Sequence, residues 1–113
     1  MSSLSARMAD FALELNYDAI PEPARFEAKR FLLDSLGCAL AAVQNEDMQA
    51  MYRFTQKIGG VEEATVIGAD WLTNAPNAAL MNGLLIRALD YNDIYWVQDP
   101  NHPSDLLGTA IAT

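Results

Sequence analysis

Phe31-Leu32-Leu33-Asp34-Ser35-Leu36-Gly37-Cys38-Ala39-Leu40-Ala41-Ala42-Val43 has only Asp34 and Ser35 as polar side chains. A helix that is apolar on nearly all sides belongs inside a larger body, not on its surface. Its longest unbroken apolar run, Cys38 to Val43, is far shorter than the roughly 20 residues of a membrane span. The stretch is therefore a core helix. Gly37, Cys38, Ala39, Ala41 and Ala42 are small enough to let another helix approach closely. Gly37 weakens an isolated helix by about 1 kcal/mol relative to alanine, so close packing against it is the expected compensation. Cys38 reads as a small core residue, because no base stands near it in sequence to make it a nucleophile.

Working outward, the same helix begins after the turn Ile20-Pro21-Glu22-Pro23. Pro23 suits a first helical turn, where its missing N–H would have no partner anyway. Charged residues (Arg25, Glu27, Lys29, Arg30) surround Phe26 and Phe31 in this first half. Upstream, Leu4, Met8, Phe11 and Leu15 form one helical stripe, with Ser2 or Ser3 as cap and Asn16-Tyr17-Asp18 as its end. The expectation is a helix facing the core. Downstream, Asn45 or Asp47 caps a third stripe of Met48, Met51, Tyr52, Thr55 and Ile58, closed by Gly59-Gly60. The two methionines read as core filling. Glu62 to Gly68 is one short strand or an extended connector, and no second strand pattern offers it a sheet. Thr73 or Asn74 begins a fourth helix with Pro76 in its first turn. Ala79, Gly83, Ile86 and Asp90 share one of its faces, and small residues there again predict close packing. The fold class is all-α, with five helices in 113 residues.

Between the fourth and fifth helices lies Leu89 to Asp105, a loop with four of the fifteen acidic residues, two of the four tyrosines and the only histidine. Loops held between helix ends are where function concentrates. Asp90 and Asp93 sit at a helix C-terminus, an unfavourable place for a carboxylate by up to about 1 kcal/mol. Pro103-Ser104-Asp105 reads as the start of the fifth helix, with Ser104 as its cap. His102 precedes that positive helix end, which favours a neutral imidazole able to act as base or hydrogen-bond donor.

Composition excludes several classes. Seven basic against fifteen acidic residues give a net charge of −8, which repels phosphate backbones and anionic membranes. Met1 to Ala9 lacks the apolar core of a signal peptide. One cysteine excludes an internal disulfide. The final Gly108-Thr-Ala-Ile-Ala-Thr113 is an apolar helical pattern without a stop signal, which suggests a truncated chain, residues 1–113 being part of a helical domain.

Three chemistries compete for the loop. A metal site from Asp90, Asp93, Asp99 and His102 fits the calcium-loop template poorly, since counting from Asp90 places Ile94, Tyr95 and Asn101 where an oxygen ligand, a glycine and a bidentate acid belong. A lone histidine is equally poor support for zinc. General acid–base chemistry by His102 with a carboxylate is the second reading, Asp90 orienting the imidazole. The third is purely structural: a helix start with solvated helix-end charges.

Three blocks resemble one family in order and spacing: FLLDSLGCALAA (Phe31 to Ala42), NAPNAALMNGLLIRALDYND (Asn74 to Asp93) and NHPSD (Asn101 to Asp105). They are similar to the amino-terminal part of MmgE/PrpD proteins, which include 2-methylcitrate dehydratase, cis-aconitate decarboxylase and an iminodisuccinate epimerase. The pairing of Asp-Tyr-Asn-Asp with His-Pro-Ser-Asp is most similar to the first of these. The resemblance implies a large helical domain built from the first and last parts of a much longer chain, with an α+β domain inserted between them. It implies no metal or organic cofactor, a homodimer, and a cytoplasmic or mitochondrial-matrix location. It implies that His102 and Asp90 are catalytic, and that Asp93, Ile94 and Ser104 touch the substrate or support the residues that do. Ile94 stands where the family commonly has a threonine whose hydroxyl holds the substrate, which puts substrate identity in question. The implied activity is that of a lyase acting by acid–base chemistry on a hydroxylated or unsaturated polycarboxylate, inactive as an isolated segment. Decarboxylase or epimerase chemistry is the variant within the family. A non-catalytic helical interaction module, with Ile94 marking lost substrate binding, is the rival.

Overall fold

The computed structural model describes residues 2–113 and contains five α-helices. They are α1 (Leu4–Glu14), α2 (Glu22–Ala42), α3 (Glu46–Ile58), α4 (Ala75–Arg87) and α5 (Leu107–Ala112). A short 3-10 turn, Tyr17–Ala19, joins α1 to α2, and a second, Pro103–Leu106, leads into α5. The all-α expectation holds. The caps resolve to Ser3 for α1, Asn45 for α3 and Asn74 for α4, each accepting a hydrogen bond from a backbone N–H of its first turn.

The core forms around α4. Its Ala78, Met81, Leu85 and Ile86 are fully buried, against Ala39 and Ala42 of α2, Met48 and Tyr52 of α3, and Val66 of the connector. α5 crosses α4 at glycine: a Cβ on Gly108 would lie 2.7 Å from Gly83 N and 2.8 Å from the Ala79 carbonyl oxygen. The approach of α5 to the backbone of α4 is permitted by Gly108 having no Cβ; a Cβ on Gly83 would meet nothing within 4 Å, so the small residue on α4 is not what allows it.

Four expectations need correction. The connector does find a partner: Ala64–Thr65 (β1) pairs antiparallel with Leu72–Thr73 (β2). Strands of two residues have no period to detect, so the second was invisible. Asn82, fully buried on α4, holds this hairpin by accepting from Ile67 N at 2.9 Å and donating to the Thr65 carbonyl at 3.0 Å. Second, the stripe of α1 faces solvent and not a core: no residue of α1 is buried, and Leu4, Met8 and Phe11 are about two-thirds exposed. Third, nothing approaches Gly37 within 4 Å of where a Cβ would stand. Leu33 and Leu40, which share its side of α2, are exposed as well. Fourth, Ile58 at the end of the α3 stripe is exposed, although Met48, Tyr52 and Thr55 are buried. Cys38 is buried as a core residue, and burial first, then the charges of Asp34 and Asp93, push its thiol pKa up. A thiol held protonated is no nucleophile.

No helix among the described residues is long and apolar enough to cross a membrane.

Candidate functional site

α4 ends at Arg87, and the chain turns sharply to bring the 90–105 segment back over it. Asp90 takes a left-handed conformation, φ 48°, the one such non-glycine residue among those described. Aspartate is among the few L residues that tolerate this region. Two ties to Arg87 hold it: the Asp90 N–H donates to the Arg87 carbonyl at 2.9 Å, and its carboxylate accepts from Arg87 Nη2 at 3.1 Å. The neighbouring guanidinium offsets the helix dipole, so the place of Asp90 at a helix end needs no functional task to explain it.

Beyond Asp93 the loop is not irregular throughout. Tyr95–Trp96 (β3) pairs antiparallel with Pro100–Asn101 (β4) across a turn of Val97, Gln98 and Asp99. This hairpin returns His102 to the segment it left. His102 Nδ1 lies 2.6 Å from the Asp93 carbonyl oxygen. A carbonyl can only accept, so Nδ1 carries the proton in this contact, and in the neutral ring Nε2 is the basic nitrogen. The partner of Nδ1 is therefore the Asp93 carbonyl, where the sequence suggested the Asp90 carboxylate.

The start of the last helix also differs from expectation. The 3-10 turn Pro103–Leu106 comes first, and Ser104 lies within it, fully buried. Its hydroxyl accepts from Asn92 Nδ2 at 2.7 Å and caps nothing. The capping acceptor is the Asp93 carboxylate, whose two oxygens each lie 3.3 Å from Ser104 N. Asn92 is held in turn by Arg87 Nη1 at 2.7 Å. Arg87, Asn92, Ser104, Asp93 and His102 thus form one connected chain of hydrogen bonds. Asp90 branches from it at Arg87, and Asp105 stands 3.9 Å from Arg87 Nε.

Of the residues singled out from sequence, the structure brings His102, Asp93 and Ser104 into direct connection. Asp90 lies at the edge with its side chain 84% exposed, and Ile94 is half exposed. Asp99, in the hairpin turn, joins none of these bonds. The carboxylates of Asp90 and Asp93 are committed to Arg87 and Ser104, so the metal reading has no convergent donor set among the described residues. Sequence reasoning missed Asn92 and the role of Arg87. The one signal was their presence in the same block as the two aspartates. A groove of about 490 Å³ runs from Asp93 along α2, lined by Glu27, Arg30, Phe31, Leu33 and Asp34. Asp34 was visible as one of two polar residues in an apolar helix half, but nothing linked it to the loop.

Relatives bear on what such a site does. The chain is 31% identical over 106 residues to a 2-methylcitrate dehydratase from Salmonella typhimurium, covering 88% of this chain and 21% of that protein. It is 35% identical over 86 residues to a probable 2-methylcitrate dehydratase from Saccharomyces cerevisiae, covering 75% and 17%. An alkylcitrate dehydratase from Talaromyces stipitatus is 30% identical over 105 residues, covering 86% and 21%. The chain spans about a fifth of the length of these relatives. Residues 6–113 match the family model of the MmgE/PrpD N-terminal domain, and the chain belongs to that family.

Proposed function

We propose that residues 1–113 supply one wall of the active site of a hydro-lyase that dehydrates a hydroxylated polycarboxylate of the 2-methylcitrate class. The observation that carries this reading is the fixed imidazole: Nδ1–H is held by the Asp93 carbonyl, and Nε2 is basic. Dehydration breaks a C–H bond next to a carboxylate, places its electron pair in a new C=C bond, and expels the hydroxyl with a proton as water. His102 Nε2 takes the first proton with its lone pair or, in the protonated ring, supplies the second. In this reading Asp90 accepts from the substrate hydroxyl, which is supported by the one carboxylate oxygen that its bond to Arg87 leaves free.

The net charge of −8 sets a limit on what this segment does alone. A polycarboxylate needs cationic partners, and the guanidinium of Arg87 is already engaged by Asn92 and Asp90. We assign the missing cations, and the rest of the catalytic groups, to polypeptide outside these residues, in a protein of the relatives' length. Such a protein working as a homodimer in the cytoplasm or mitochondrial matrix is part of the same proposal.

The test is His102→Asn in a protein of that length. Asparagine replaces one hydrogen bond of the ring but transfers no proton at neutral pH. Turnover of 2-methylcitrate should fall about 10²–10⁴-fold, the usual worth of a positioned proton-transfer group. Stability should change by no more than about 1 kcal/mol, as for one ordinary hydrogen bond. Undiminished turnover by the folded variant would leave His102 a helix-start residue and favour the non-catalytic module.

A further inference from the structure

We propose that Arg87 is the positioning residue of this site, setting which nitrogen of His102 faces the substrate without touching the substrate itself. The proposal rests on the reading of His102 as acid or base, and its first test does not depend on that reading.

Arg87 occupies the last turn of α4, where the helix dipole favours a cation. Its planar fork donates in two fixed directions, to Asn92 Oδ1 at 2.7 Å and to Asp90 Oδ1 at 3.1 Å. Guanidinium has no acceptor, so the oxygen of the Asn92 amide must face Arg87 and the nitrogen must face away. That nitrogen donates to the Ser104 hydroxyl at 2.7 Å. Ser104, fully buried, thereby stands with its own N–H on the Asp93 carboxylate. With its carboxylate anchored there, Asp93 presents its carbonyl to His102 Nδ1 at 2.6 Å. Arg87 decides the direction of the Asn92 amide. The Ser104 N–H can only donate and the Asp93 carbonyl can only accept; on those later links Arg87 acts by holding Asn92, and through it Ser104, in position. Removing the fork frees the Asn92 amide to rotate and leaves Asp90 with only its backbone bond to the Arg87 carbonyl. The aspartates on either side of Asn92 then lose their common reference. The charge of Arg87 is already paired with the Asp90 carboxylate, which argues against a second role as substrate cation.

His102 is the only histidine, so its ring can be read without overlap. Nitrogen-15 imidazole spectra of the 113-residue chain should show the Nδ1–H tautomer as the main neutral form. Arg87→Lys keeps the charge, but one ammonium cannot span Asn92 and Asp90 in the fork geometry. The ratio of Nδ1–H to Nε2–H should fall at least about 3-fold in that variant, the solvated ring no longer being held by the carbonyl. Asn92→Ala cuts the next link while leaving the Arg87–Asp90 pair, and should shift the ratio the same way if Arg87→Lys does not fold. A wild-type chain in the Nε2–H form, or folded variants with an unchanged ratio, would overturn the proposal.

Kinetics in a protein of the relatives' length then separate positioning from binding. Arg87→Lys should lower kcat about 10–100-fold with KM within about 3-fold, the expected result of small misplacement of a reacting group. Combined with Asn92→Ala, it should cost little more than either change alone, because both act through one chain. A raised KM with kcat preserved would mean that Arg87 binds substrate, and the proposal would be wrong. If instead His102→Asn retains full turnover, the acid–base reading fails while the tautomer result stands.

Discussion

Replacing glycine by alanine in two helices should have opposite effects on this chain. In α5, a Cβ on Gly108 would meet Gly83 N at 2.7 Å, the Ala79 carbonyl oxygen at 2.8 Å and Gly83 Cα at 2.9 Å, whereas ordinary contact begins near 3.4 Å. All three atoms are backbone, so no side chain can rotate away, and α4 and α5 must separate by roughly half an ångström. Such overpacking costs about 1–3 kcal/mol, against a gain of up to about 1 kcal/mol from helix propensity. The net loss expected for Gly108→Ala is about 1–2 kcal/mol, or a fall in Tm of roughly 5–10 °C for a chain of this size. In α2, Gly37 has nothing within 4 Å of the same position. Gly37→Ala should therefore stabilise by about 0.5–1 kcal/mol and raise Tm by a few degrees. Thermal melts at low protein concentration, followed by circular dichroism, measure both. A Gly108→Ala chain melting at or above the wild-type temperature would refute the packing argument. A destabilised Gly37→Ala chain would show that another surface packs against α2 in solution.

Three further outcomes are expected. Asn82→Ala removes both side-chain bonds to the β1–β2 connector, and should cost roughly 2–3 kcal/mol at about 1 kcal/mol per bond plus a small void; an unchanged urea midpoint would sink this account of the connector. Burial raises the pKa of both Cys38 and Tyr52, with Asp34 and Asp93 adding to the shift at Cys38. The unfolded chain therefore loses these protons first, and stability should hold below the ordinary thiol range and fall as pH rises through the thiol and then the phenol range. Urea midpoints across alkaline pH test this, and Cys38→Ala should abolish the earlier part of the fall. Ile94→Thr, in a protein of the relatives' length, should restore a hydrogen-bonding group beside His102 and raise turnover of 2-methylcitrate; if no substrate responds, Ile94 lies outside the site.

Helices were legible where a stripe ran for three turns or more, since a 3.6-residue period needs that length to show. What a stripe meets is another matter. Leu4, Met8 and Phe11 say which side of α1 is apolar, but periodicity carries no information about what covers it, and here solvent does. Small residues behave similarly: a Cβ on Gly37 or on Gly83 would meet nothing within 4 Å, and of the helix glycines it is Gly108 whose missing Cβ is needed for packing. Strands of two residues leave no pattern, so both hairpins were hidden, and with them the local geometry of the loop. Residue types alone placed His102, Asp93 and Ser104 in one stretch. They could not assign Nδ1 to a backbone carbonyl, because main-chain acceptors are the same at every position in a sequence. The same limit concealed the link from Arg87 through Asn92, which depends on where the chain turns after α4.

The Tyr95–Trp96 and Pro100–Asn101 hairpin also bears on how relatives of this chain could be recognised. Its register pairs Tyr95 with Asn101 and Trp96 with Pro100, and continuing one step sets Ile94 across from His102. The juxtaposition of His102 with Asp93 is thus decided at the base of the ladder. Val97, Gln98 and Asp99 at the tip can be lengthened or exchanged without moving either residue, whereas one residue inserted between Asp93 and Tyr95 would turn the whole edge over. A search pattern with a fixed gap between the aspartate and histidine blocks would therefore reject proteins whose sites are geometrically the same. The gap to hold constant is the one on either side of the ladder, and the tip is where evolution is free to write.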